Sequence, residues 1–225
     1  MTTTNKFLKS VKAHRSSKKT EKFSGMLEDY LLLLEKDPEI SVLAHKRLYK
    51  QILGEGVITL DETNERCNKL FNGESVKVYD YFDGQFFGME RPLEKVMRFL
   101  HSAAMRGEES RQVLLLLGPV GAGKSALIEH IKSALEACAP IYVLEGCPIR
   151  EEPLHLIPRS LREEFVEMYG VRIEGDLCPV CRHRLIDEFE GDYTKFPISQ
   201  SSFSVRGRKG VGVVPPMDPN TQDTS

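Results

Sequence analysis

Apolar positions recur at helical spacing in four stretches of the chain. In the first, Leu27, Tyr30, Leu31 and Leu34 fall on one face of a helix that Asp37-Pro38 interrupts. In the second, Val42, Tyr49 and Ile52 or Leu53 share a side, and the run stops before Gly54 and Gly56. The third carries Leu93, Val96, Met97, Leu100 and Ala104, and the fourth Leu127, Ile128, Ile131, Ala134 and Leu135. Two short continuous apolar runs read differently. Gln112-Val113-Leu114-Leu115-Leu116-Leu117 predicts a strand buried on both faces, and Ile141-Tyr142-Val143-Leu144 predicts a second strand. Turn signals stand at Asn72-Gly73 and Asp83-Gly84. After Cys147 the periodicity weakens, with Pro148, Pro153 and Pro158 dividing the chain and Arg159 to Tyr169 reading as one helix. Gly207 to Ser225 reads as a loop followed by a frayed end. The order helix, strand, glycine loop, helix, strand predicts an α/β fold with a doubly wound parallel sheet.

The glycine loop is Gly118-Pro119-Val120-Gly121-Ala122-Gly123-Lys124-Ser125, which fits G-x-x-x-x-G-K-[ST] at every required position. A helix start offers unpaired backbone N–H groups and a partial positive charge, which suits a polyanionic nucleotide. Gly121 and Gly123 can adopt positive φ and leave no Cβ between the backbone and the phosphates. Lys124 would reach the β- and γ-phosphates, and the Ser125 hydroxyl would ligate Mg²⁺. The expected ligand is therefore a nucleoside triphosphate with Mg²⁺. An incidental glycine turn would not need both flanking elements.

Bulk composition narrows the partners. The hydrophobic fraction of 40% and charged fraction of 28% are those of a soluble globular protein, and a net charge of -2 gives no overall bias toward nucleic acid or anionic membrane. Residues 1–22 are an exception, with Lys6, Lys9, Lys12, Arg15, Lys18, Lys19 and Lys22 against Glu21 alone. That segment reads as a solvated basic tail, or alternatively as an arm that touches nucleic acid or lipid. No apolar segment near the N-terminus resembles a secretory signal, and Leu31 to Leu34 is too short to span a bilayer. Five cysteines, an odd number, then point to reduced thiols in a cytoplasmic protein rather than to disulfides.

Longer blocks carry a family resemblance. They are Asp80-Tyr81-Phe82 through Phe87-Gly88-Met89-Glu90, the run from Arg111 to Gly121, Glu152-Pro153-Leu154-His155-Leu156-Ile157-Pro158, and Gly175-Asp176-Leu177-Cys178-Pro179-Val180-Cys181. Together they resemble the N-terminal AAA-type ATPase domain of the PrkA family, described as serine protein kinases. The resemblance implies a P-loop domain that binds ATP and Mg²⁺, with ring-type homo-oligomers or protein partners. It also implies that Phe87 and Gly88 border the adenine, where burial statistics alone would make Phe87 a core aromatic. The division it suggests is a tail over 1–22, a helical extension over 23–79, a partial AAA-type domain over 80–215 and a frayed tail over 216–225. A Cys/His-containing insertion would occupy 147–183.

A hydrolysing P-loop enzyme needs acids at the end of a later apolar strand. No run of four apolar residues followed by an acidic pair occurs after Ser125. Leu185-Ile186-Asp187-Glu188 comes nearest, but only two apolar residues precede its acids, and it reads as a charged helix face. No kinase motif of the H-R-D, D-F-G or V-A-I-K type is present. Binding is expected and turnover is not. The contrasting expectation is a non-catalytic interaction module that retains the loop as a relic.

Cys178-Pro179-Val180-Cys181 has the spacing of half a zinc site. Cys147 and His155 lie upstream in the proline-rich segment and could complete a Cys₃His set with Cys178 and Cys181. Unligated thiols packed as small hydrophobes and a redox pair are the other two readings. Cys67 and Cys138 fall in predicted helices and read as packing residues. Arg206-Gly207-Arg208-Lys209-Gly210 reads as a solvated basic turn, or as a loop facing a neighbour's phosphates in a ring.

Overall fold

The computed structural model describes residues 23–119, 121–207 and 209–211. The basic segment 1–22, the tail 216–225, Val120 and Arg208 lie outside the described residues. A two-residue strand β1 (Ser24–Gly25) leads into helices α1 (Leu27–Lys36) and α2 (Ala44–Gly54). Strand β2 (Val57–Leu60), helix α3 (Glu65–Phe71) and strand β3 (Val76–Tyr79) follow, then helices α4 (Glu90–Ala104) and α5 (Lys124–Ala137). The remainder comprises β4 (Ile141–Leu144), α6 (Arg162–Tyr169), α7 (Pro179–Asp187) and β5 (Ile198–Ser201), linked by short 3₁₀ turns. No helix among the described residues is long and apolar enough to cross a membrane.

These elements fall into two compact units. Among the described residues, one combines 23–41 with 141–201, and the other combines 42–140 with 202–211.

In the second of these units, α4 buries Leu93, Val96, Met97, Leu100, Ala103 and Ala104. All five positions predicted for that helix are covered, because the 3.6-residue period puts them on a single stripe. Leu48 and Ile52 of α2, Phe82, Phe86, and Leu127 and Ala134 of α5 belong to the same cluster. A smaller cluster joins α3 to the antiparallel pair β2–β3, through Cys67, Phe71, Leu60, Val76 and Val78. Asn64 caps α3 by accepting from the Arg66 N–H at 2.9 Å, and Asn72 ends it in the left-handed region at φ 54.

In the other unit, α1 buries Leu27, Tyr30 and Leu34. Asp29 closes the helix start by accepting from the Met26 N–H at 2.9 Å. The sheet has the order β1-β5-β4, with both pairings antiparallel. Phe196, Ile198, Leu144, Leu154, Leu156, Phe165 and Leu185 complete the core beneath it.

The predicted parallel sheet is therefore corrected. Ile141–Leu144 is a strand as expected, but its neighbour is β5, running the opposite way. The reason lies in the run 112–117, which forms no strand among the described residues. Val113, Leu115 and Leu117 are 91%, 72% and 84% exposed, and only Leu116 packs against the core. A strand buried on both faces needs a neighbour on each edge to pair its N–H and C=O groups. No described strand runs alongside this one.

Candidate nucleotide-binding site and thiol cluster

The glycine loop ends at the start of α5. Gly121 has φ +83 and Gly123, the N-cap residue, has φ +75, so both adopt the conformation that glycine tolerates best. A Cβ at Gly121 would meet nothing within 4 Å, leaving that side of the loop open. The other side is backed: a Cβ at Gly123 would stand 3.4 Å from Met89 Sδ and 3.8 Å from Phe86 Cε1. The segment just before α4 thus forms the floor of the loop.

Lys124 folds back over the loop. Its ammonium donates to the carbonyls of Gly118 at 2.7 Å and Pro119 at 2.6 Å. Ser125 sits exposed in the first turn of α5. A Cβ at Gly118 would stand 3.6 Å from the Ala122 Cβ, and the Ala122 N–H donates to the Pro119 carbonyl at 3.3 Å. Gly118, Pro119, Gly121, Ala122, Gly123, Lys124 and Ser125 are therefore brought together as one turn. Val120 lies outside the described residues.

Phe87 is not the core aromatic that burial statistics favour; that place is taken by Phe86. Phe86 is buried, stacked edge-on against Phe82 and His130 at centroid distances of 6.0 and 5.3 Å. Phe87 is 75% exposed, with the Arg66 guanidinium 6.0 Å from its ring centre. Gly88 has φ +71 and open space where a Cβ would stand. The floor residues Phe86 and Met89 escaped the sequence reading, although Phe82 and Phe86 at i, i+4 are a spacing that one helical turn would place together.

Arg66 also pairs with Asp83 at 3.2 Å and with Glu90, which is 2% exposed. The second carboxylate oxygen of Glu90 is buried with no hydrogen-bond partner among the described residues.

In the other unit, three of the four predicted zinc ligands converge. Cys147 Sγ stands 4.0 Å from Cys178 Sγ, and Cys147, Cys178, Cys181 and Glu151 place one ligand atom each within 4.8 Å of one another. His155 stands one step behind. Its Nδ1 is 3.0 Å from Glu151 Oε1, and its Nε2 donates to the Glu174 carbonyl at 2.7 Å. Burial pushes the thiols of Cys178 and Cys181 up from their ordinary range. Glu151, 5% exposed, is the member that sequence reasoning missed. Its signal was its place midway between Cys147 and His155, four residues from each. Cys67 and Cys138 are buried apart from this cluster, as expected of packing residues.

Asp187 and Glu188 are tied to their own helix. His183 lies 2.7 Å from Asp187 and Arg184 lies 3.0 Å from Glu188, each pair at i, i+4.

Comparison with known proteins defines the class first. Residues 25–225 match the family described as PrkA AAA domain, so this is a domain of AAA type built from mixed helices and strands. Among the similar proteins, "ATP-dependent protease PrkA" of Bacillus subtilis (strain 168) is 35% identical over 222 residues, which are 96% of this chain and 33% of the relative. "Serine/threonine kinase YeaG" of Escherichia coli (strain K12) is 33% identical over 214 residues, 92% of this chain and 32% of the relative. "Lon protease" of Clostridioides difficile (strain 630) is more distant, at 25% over 198 residues, 85% of this chain and 23% of the relative. The chain belongs to the PrkA AAA domain family. It spans about a third of the length of the first two relatives. No solved structure matches it.

Proposed function

We propose that this chain binds ATP with Mg²⁺ through Gly118–Ser125. The observation that carries the reading is the geometry of the loop at the start of α5. Gly121 and Gly123 hold positive φ on either side of Ala122, and Lys124 and Ser125 open the helix behind them. Backbone N–H groups at such a start favour an anion, and the two glycines let phosphate oxygens approach without a Cβ in the way. The fit extends to Lys124. Among the described residues its ammonium is held by two carbonyls of the loop itself, so a bound phosphate would compete for it with neutral acceptors and no carboxylate. Ser125 is exposed in the first turn, where its hydroxyl would reach Mg²⁺. Bound Mg²⁺ would supply charge neutralisation at the phosphates. Phe87, exposed beside Gly88, offers a ring face to the base. The name of the Bacillus subtilis relative includes ATP dependence, which favours ATP as the nucleotide.

No hydrolytic step is assigned, because Asp187 and Glu188, the nearest approach to a strand-terminal acidic pair, serve as ion-pair partners on α7. The kinase and protease activities named for the relatives belong to proteins about three times as long. AAA-type membership also favours assembly with further copies of the chain, which light scattering with and without nucleotide would read.

The test is binding of a fluorescent ATP analogue in the presence of Mg²⁺. Lys124→Ala should weaken it roughly 10- to 100-fold, the effect of one or two charge-assisted hydrogen bonds, while leaving the circular dichroism spectrum unchanged. Equal affinity in the two proteins would leave the loop as a relic. Mg-ATP should also raise the wild-type melting temperature by mass action, and should do so less in the variant.

A further inference from the structure

We propose that Cys147, Cys178, Cys181 and Glu151 form a structural zinc site, with His155 orienting the carboxylate. The proposal stands apart from nucleotide binding and rests on the convergence of sulfurs that are distant in sequence. Cys147 is separated from Cys178 by 31 positions, yet their Sγ atoms are 4.0 Å apart. A tetrahedral ion with Zn–S bonds of about 2.3 Å sets neighbouring sulfurs about 3.8 Å apart, whereas a disulfide needs about 2.05 Å. All four ligand atoms lie within 4.8 Å of one another, so drawing them in by about 1 Å at most brings them to tetrahedral spacing.

Local structure prepares the ligands. Cys178 is the N-cap of α7 and Pro179 follows at its first position, so Cys181 falls within the same first turn. The Cys181 N–H donates to Cys178 Sγ at 3.3 Å, and the Glu151 N–H donates to Cys147 Sγ at 3.3 Å. A neutral thiol is a weak acceptor, so two backbone donors aimed at sulfur suit thiolates. Zinc binding would release the thiol protons to solvent.

The fourth ligand is argued from burial and satisfaction. Glu151 Oε1 accepts the Cys178 N–H at 2.8 Å and faces His155 Nδ1, while Oε2 turns toward Cys147 Sγ at 4.0 Å. A carboxylate this buried is costly without a cation, and a divalent ion among the sulfurs supplies one. His155 is excluded as a ligand because both of its ring nitrogens are already engaged. Ligating carboxylates are themselves held by hydrogen bonds from groups one step out, the position that His155 Nδ1 and the Cys178 N–H take beside Glu151 Oε1. Four protein ligands make a closed site with no open position for catalysis. The ion would pin the proline-rich segment after β4 to the start of α7, inside the core of that unit.

The experiment uses the full chain purified from zinc-replete medium. Metal analysis should give about one zinc per chain, and cobalt exchange should give tetrahedral d–d bands with a near-ultraviolet charge-transfer band of three-thiolate intensity. Cys178→Ser should lose that intensity. His155→Gln should keep it while weakening metal affinity roughly 10- to 100-fold, an effect a merely structural histidine would not produce. If the serine variant does not fold, wild-type protein decides the matter. Alkylation of Cys147, Cys178 and Cys181 should then depend on a chelator, while that of Cys67 and Cys138 should not. Zinc near zero per chain, a disulfide among the three cysteines, or alkylation indifferent to chelator would each overturn the proposal.

Discussion

Replacing Val113, Leu115 and Leu117 together with threonine separates two accounts of the run before the loop. As a strand buried on both faces, the run would lose about 2–4 kcal/mol at each large-to-small or polar replacement. The sum would approach or exceed the whole stability of an ordinary domain, which is about 5–15 kcal/mol. In the structure these side chains are 91%, 72% and 84% exposed. Full burial of such a side chain is worth about 1.5–3 kcal/mol, so each residue has less than a third of that to lose, and the triple variant should cost about 1 kcal/mol in all. Threonine is β-branched and favours extended backbone at least as well as leucine, so the conformation of the run is not the variable. Leu116→Thr is the internal control, because Leu116 packs against the α4–α5 core and should cost more alone than the three exposed positions together. Urea denaturation followed by circular dichroism reads both proteins. A triple variant that fails to fold, or that loses more than about 4 kcal/mol, would show that the run is covered in solution and would refute the exposed arrangement.

Two further outcomes follow from charged groups. Arg66→Ala should destabilise the protein by about 2–3 kcal/mol, because it strands Glu90 at 2% exposure while Arg66 itself is 30% exposed and admits some water. Glu90→Gln in the Arg66→Ala background should recover part of that loss, and strict additivity in the double-mutant cycle would contradict the pairing. Asp176 accepts from Arg159 at 2.9 Å and has Arg162 3.3 Å away, and these guanidinium groups hold its carboxyl down to about 2. A carboxyl depressed in the folded state contributes stability above its unfolded range near 3.8 and loses it as pH falls through about 2. NMR titration of the Asp176 carboxyl should therefore show a midpoint near 2, and Arg159→Ala should move it up toward 3.8. An unmoved midpoint would show that Arg159 is not the cause.

The parts of this protein that sequence could deliver are those whose physics is complete within a few turns of chain. The α4 stripe is one, since five predicted positions and their burial follow from a single period. The loop Gly118–Ser125 is another. Its pattern demands glycine where φ must be positive, and Gly121 and Gly123 have φ +83 and +75. Cys178-Pro179-Val180-Cys181 is legible for the same reason, because its two-residue spacing brings both cysteines within one turn.

What escaped depends on partners far away in the chain. The run 112–117 has the composition of a doubly buried strand, yet composition cannot supply the neighbours that burial requires. Glu151 looked like one more acid in a proline-broken stretch, and only the approach of Cys178, 27 residues on, gives its carboxylate a role. Phe86 and Phe87 make the point at the smallest scale. Both rings are aromatic and adjacent, so no composition rule prefers one. Phe82, four residues before Phe86, and Gly123, which leaves room for it, decide that Phe86 turns inward under the loop. Its neighbour Phe87 faces solvent beside Gly88. The ring proposed to meet the base is thus the one that the packing beneath the loop leaves unused.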